Sequence, residues 1–114
     1  MSILDEIKAA LTTLNIPIET GVFTGEAPDT YIVVIPLSET FDLHADNSPE
    51  VDVQEARISL FAKTAYTTVS RQVVRALLSA GMTVTARRYN GFETETGYHH
   101  YTVDAADYFE FKEE

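Results

Sequence analysis

Between Ala56 and Lys63 the residues alternate strictly, with Ala56, Ile58, Leu60 and Ala62 on one parity and Arg57, Ser59 and Phe61 on the other. A period of two sends successive side chains to opposite faces of a strand. The segment therefore demands a sheet with one face against a core, and it extends back to about Val51. Val51 and Val53 fall out of phase with Ile58 and Leu60, which predicts a bulge or twist near Gln54-Glu55.

What covers such a sheet is legible in two helical patterns. Ile3, Leu4, Ile7, Leu11 and Leu14 recur at helical spacing, with Asp5, Glu6 and Lys8 on the other side. Ser2 with Asp5 three residues on forms a capping signal, and Asp5 and Glu6 suit the positive end of the helix dipole. Asn15 and Pro17 end that helix. A second helix runs from about Ala65 to Ala80, with Tyr66, Val69, Val73, Leu77 and Leu78 as its apolar stripe. Ser70, Arg71, Gln72 and Arg75 lie opposite, and Gly81 supplies a left-handed stop.

Four further strands fill the remaining segments. Ile16, Ile18, Val22 and Phe23 indicate a short one, and the β-branched run Tyr31 to Ile35 a buried one that Pro36 stops or edges. A strand from about Thr83 to Tyr89 meets Asn90-Gly91, a hairpin turn signal, although Phe92 to Thr96 before Gly97 can extend the hairpin instead. The last strand runs from about Tyr98 to Lys112, and the tail beyond it is expected to fray. The order is α-β-β-β-α-β-β. This is an α+β chain, a mainly antiparallel sheet with both helices packed on one face. At 114 residues, without repeat or linker, it is a single domain over 1–114.

Composition removes several functions. There is no cysteine, which excludes disulfides and thiolate chemistry. No apolar run is long enough to span a membrane. Eighteen Asp and Glu against eight Lys and Arg give a net charge of −10, which opposes specific nucleic-acid binding through phosphate neutralisation.

Catalytic patterns are weak. His99 and His100 are adjacent on a strand and point to opposite faces, so they do not grip one metal together. His44 stands alone. Asp42, Asp46, Glu50 and Asp52 miss the spacing of a calcium loop, and Gly21 to Gly25 lacks the Lys-Ser/Thr of a phosphate loop. Glu93 and Glu95 share a face, as alternating positions on a solvated hairpin do. The expectation is a non-enzyme with no catalytic, cofactor or metal site.

Charge is more informative. From Glu39 to Glu55 six acids (Glu39, Asp42, Asp46, Glu50, Asp52 and Glu55) stand without a Lys or Arg, in what reads as a solvated loop or a protruding hairpin. From Arg57 to Arg88 every fixed charge is basic: Arg57, Lys63, Arg71, Arg75, Arg87 and Arg88. The two blocks either neutralise each other inside the fold or meet between copies, head to tail. In the second case Glu39, Asp42, Asp46, Glu50 and Asp52 face Arg71, Arg75, Arg87 and Arg88, and the acidic segment orders on docking.

Several segments together resemble a known group. These are the short N-terminal helix, the polar Glu19 to Thr30 stretch before an apolar strand, and the acidic segment. They are joined by Glu55-Ala56-Arg57-Ile58-Ser59-Leu60-Phe61-Ala62-Lys63, the helix ending at Gly81, then Tyr89, Phe92, Glu93 and Glu95-Thr96-Gly97-Tyr98-His99-His100. Over nearly its whole length the chain resembles the small phage and prophage tail-completion proteins, the tail terminators and head–tail joining proteins. The resemblance implies a non-enzymatic virion component of the tail or neck, present in the bacterial cytoplasm before assembly. It further implies a homo-oligomeric ring, commonly a hexamer, that meets the tail tube protein and the head connector, with no cofactor and no membrane partner. The competing expectations are an acidic host module that binds or inhibits a partner, and a small metal-dependent enzyme using the acidic segment and His44.

Overall fold

The computed structural model describes residues 2–22, 24–43 and 49–110, with backbone alone at 42, 43, 49 and 50. Helix α1 spans Ile3–Leu11 and runs into a 3-10 turn at Thr12–Leu14; α2 spans Tyr66–Ser79. The strands are β1 Ile18–Thr20, β2 Thr30–Leu43, β3 Pro49–Ala62, β4 Thr83–Phe92 and β5 His99–Glu110. The order matches the sequence reading. The sheet runs β1-β2-β3-β5-β4, antiparallel except that β1 lies parallel to β2, so it is mixed.

Both helices close on one face. Ile3, Ile7 and Leu11, one per turn of α1, meet Val73 and Leu77 of α2 over Ile32, Val34, Ala56, Ile58, Leu60, Ala62, Val103 and Ala105. The α1 start is held twice. Ser2 Oγ accepts from the Leu4 amide at 3.1 Å, and the buried Gln54 Oε1 of β3 accepts from the Ile3 amide at 2.8 Å. Gln54 Nε2 in turn donates to Asp52 Oδ2 at 2.8 Å. At the other end Asn15 takes a left-handed conformation (φ 57°). Helix α2 stops as expected: Gly81 sits at φ 89°, its amide bonding Leu78 O while the Met82 amide bonds Leu77 O. The α2 stripe is rotated from the one read in sequence, for Ser70 is buried and Leu78 is 55% exposed. Ser70 Oγ donates to Thr67 O, which satisfies the hydroxyl within its own turn.

Two open alternatives are decided and one expectation changes. Pro36 edges β2 and does not stop it: the strand continues to Leu43, because beyond Val34 β1 no longer pairs and β2 becomes an edge where a missing N–H is tolerated. The bulge expected in β3 lies instead in β2. Pro36 pairs with Ala56 and Ser38 with Glu55, leaving Leu37 as the extra residue, while β3 pairs with β5 unbroken from Val51–Glu110 to Ala62–His99. Val51 and Val53 accordingly face away from the helices. Asn90-Gly91 is a bulge and the hairpin extends past it, the alternative read in sequence; the chain reverses over Glu93–Gly97, closed by Glu93 N–H to Tyr98 O and Gly97 N–H to Glu93 O.

The acidic segment resolves into the hairpin alternative. Its described residues belong to β2 and β3, paired from Glu39–Gln54 to Leu43–Pro49. A loop that orders only on docking does not describe them. His44, Asp46, the Asn47-Ser48 turn and the tail from 111 lie outside the described residues. The paired strands draw the molecule out to 53 × 25 × 24 Å.

Candidate interaction surfaces

The helix-free face of the sheet begins, at the Ala62 end of β3, with a cross-strand stack. Tyr31, Phe61 and His100 are register neighbours on β2, β3 and β5. Their rings stack at 4.8 and 4.4 Å with planes 13° and 8° apart, and Tyr98 meets Tyr31 edge-on at 5.3 Å. Lys63 Nζ lies 5.1 Å from the Tyr98 ring centre, and the Tyr98 hydroxyl donates to Pro28 O. Burial pushes the His100 imidazole below its ordinary pKa, with Arg57 adding to that and Glu93 opposing it. Its Nε2 is buried without a hydrogen-bond partner.

Four residues along, Arg57 grips Asp104 through two bonds, Nε to Oδ1 at 2.8 Å and Nη2 to Oδ2 at 3.0 Å. That hydrogen bond holds the guanidinium pKa above its usual value. Ile35, Arg57, Ser59, Arg88, Asn90, His100 and Thr102 line a cavity of about 290 Å³ beside it. Arg57 is thus already neutralised within the fold.

On the helix-covered face of the same end, His99 stacks on Tyr66 at 4.6 Å and lies 4.8 Å from Phe92. Tyr89 Oη and His99 Nδ1 are 2.9 Å apart. The two histidines occupy opposite faces, as strand alternation requires. Among the described residues no three His, Asp or Glu converge as a metal site would need.

The basic candidates divide. Arg71 of α2 and Arg87 of β4 converge on a groove of about 210 Å³ lined also by Tyr66, Thr67, Ser70, Val74 and Tyr101. Arg75, one turn along α2, is exposed beside it. Neither α2 nor β4 contains an acidic residue, so every fixed charge these two elements carry is basic. Arg88, the next residue after Arg87, faces the opposite side of the sheet with Arg57. Of the acids, Glu39 is exposed on β2, whereas Asp52 is half-buried and accepts from Gln54. Asp42 and Glu50 are placed by backbone in β2 and β3. The Arg57–Asp104 pair and the Gln54 cap went unread in sequence. Partners 47 and 51 residues apart carry no local signal.

The acidic hairpin edge and the basic α2–β4 side stand at opposite margins of one sheet. No family model matches the chain, and no curated protein matches it. Among solved structures the fold is similar to that of a chain in the virion of a native gene transfer agent particle. The TM-score is 0.61 at 12% identity, over 96% of this chain and 92% of that one.

Proposed function

We propose that the protein is a non-enzymatic component of a phage or prophage virion that completes the tail or joins it to the head, working as a ring. The observation that carries this is the fold likeness to a gene transfer agent virion chain, which covers nearly the whole of both chains. A ring of like subunits needs two complementary surfaces at different places on one molecule. The acidic margin of β2–β3 and the basic α2–β4 side meet that requirement. In this reading Glu39, Asp42, Asp46 and Glu50 approach Arg71, Arg75 and Arg87 of the next copy. Asp52 supports the hairpin from within, and Arg88 contributes from the helix-free face. Opposite charge supplies orientation and encounter rate more than affinity. The ring's other partners are the tail tube protein and the head connector, and a hexamer is the expected number.

Light scattering coupled to size-exclusion chromatography, run across protein concentration and salt, tests this, with negative-stain imaging of any large species. A closed ring that weakens with salt supports the reading. A strict monomer under all conditions, also unable to bind purified tail tubes, refutes it.

A further inference from the structure

The sheet has two long margins that no strand covers among the described residues. Strand β4 pairs only with β5, and β2 beyond Val34 pairs only with β3, because β1 ends at Thr20 opposite Val34. Such a margin presents unpaired amides and carbonyls and is a template for another strand. Bulges limit each to one regular run: 38–42 on β2, past Leu37, and 86–89 on β4, between Thr85 and Asn90. The two bulged β4 side chains fold back over their own sheet, Thr85 onto Glu55 and Asn90 onto Thr102.

The runs match each other and not themselves. Each margin carries half-exposed apolar groups in or beside its run, Leu37 (38%) and Phe41 (49%) on one, Tyr89 (45%) and Phe92 (50%) on the other. Their charges are opposite, with Glu39 and Asp42 on β2 and Arg87 and Arg88 on β4. Two β4 margins would set arginine against arginine, and two β2 margins acid against acid, both destabilising. Direction also agrees. From β2 through β3 and β5 to β4 there are three antiparallel steps, so β4 is antiparallel to β2. Rotation about an axis along the strands therefore brings the next copy's β2 antiparallel to β4.

We infer that copies join by sheet continuation, the 38–42 edge of one pairing with the 86–89 edge of the next. This rests on the ring reading and gives it a backbone geometry. Contact between unlike edges repeats in one direction, so it does not stop at a dimer, and it closes into a ring when the rotation per copy divides a full turn. The occupant of each edge is a second copy of this chain.

The native chain has no cysteine, which makes the test clean. Thr40 and Ala86 are exposed, and their register partners Val53 and Asp104 place both on the helix-free face. The variants Thr40→Cys and Ala86→Cys, mixed under assembling conditions and treated with a short bis-maleimide, are expected to give covalent dimers. Each variant alone gives none, and the double variant gives a ladder ending at the ring number. Amide exchange at 38–42 and 86–89 is expected to slow by about tenfold or more on assembly. Rings without the mixed cross-link overturn edge pairing and leave the ring reading intact. Cross-links from either variant alone, or unchanged exchange in assembled rings, also overturn it. Absence of any assembly, with tail tubes present, removes both.

Discussion

Among the described residues Gln54 is the polar side chain whose hydrogen bond ties α1 to the sheet, and replacing it with leucine isolates that role. Leucine keeps most of the volume, so the loss is polar and not a cavity. The Ile3 amide, which can donate to water only poorly at a site where Gln54 is only 8% exposed, is left without its acceptor. An unsatisfied buried donor costs about 1–3 kcal/mol, and we take about 2. Asp52 also loses a donor but is half-buried, so water replaces most of it. With an unfolding entropy of roughly 2.1 cal/mol/K per residue, a chain this long loses about 8 °C in Tm. Urea unfolding should show a lower midpoint with an unchanged slope, since the surface exposed on unfolding is the same. Ser2→Ala, which removes the other cap, costs about 1 kcal/mol, and the double variant should fall short of the sum because both caps hold one helix start. Gln54→Glu gives an internal check. A carboxylate beside Asp52 has no proton to donate, and crowding raises its pKa above the unfolded value. Stability of that variant is then highest at low pH and falls as pH rises through the raised pKa. A Gln54→Leu loss below about 0.5 kcal/mol would refute the reasoning.

Three shorter expectations follow. His100 is held neutral by burial, so its folded pKa lies below the unfolded value of about 6.5; its contribution is present above that pH and lost as pH falls. Denaturation midpoints between pH 8 and 5 should show this slope, and His100→Phe, which keeps the ring between its neighbours, should flatten it. Arg57→Met should destabilise more than Asp104→Asn, because the Asp104 side chain is 13% exposed against 42% for Arg57 and is left the more poorly solvated partner. With the arginine well exposed, the larger loss is about 1–2 kcal/mol, and equal losses by urea titration would contradict the asymmetry. Gly81→Ala places a Cβ at φ 89° and should lower stability by about 1 kcal/mol with no change in assembly, read by the same titration and by light scattering.

What the sequence disclosed and what it withheld divide along the range of the interactions. Helix α1 was readable because its signals are local: Ser2 at the cap, Asp5 and Glu6 in the first turn, Ile3, Ile7 and Leu11 one turn apart. Gly81 was readable for the same reason. The phase change between Val53 and Ile58 was also a true signal, but of a different event. Gln54 turns inward to cap α1, and the extra residue belongs to β2, which no inspection of β3 alone discloses. Pro36 left two readings open, a stop or an edge, because the choice depends on where β1 stops pairing. Among the interface candidates, the two charge blocks were plain in one dimension. Their distribution over the molecule was not, since Arg87 and Arg88 are neighbours in sequence and lie on opposite faces once β4 is a strand.

The two ends of the sheet are built for different purposes. At the Ala62 end, rings brace both faces, Tyr31–Phe61–His100 on one and Tyr66–His99–Phe92 on the other. That end is braced by rings that pack on one another within the subunit. At the far end β2 and β3 run on toward Leu43 and Pro49 with β5 beside them, and the helices that cover the core do not follow. Past the Asp52–Phe109 pair, where Phe109 still packs on the core, the strands gain little from burial and depend on lateral pairing. Strand β5 supplies that on one side of β3, and β2 is the margin on the other. A neighbouring copy adding a strand there would stabilise the part of the fold that is weakest alone. The hairpin is already paired within the subunit, so under the proposed edge pairing such a contact would add hydrogen bonds along β2 without having to fold it.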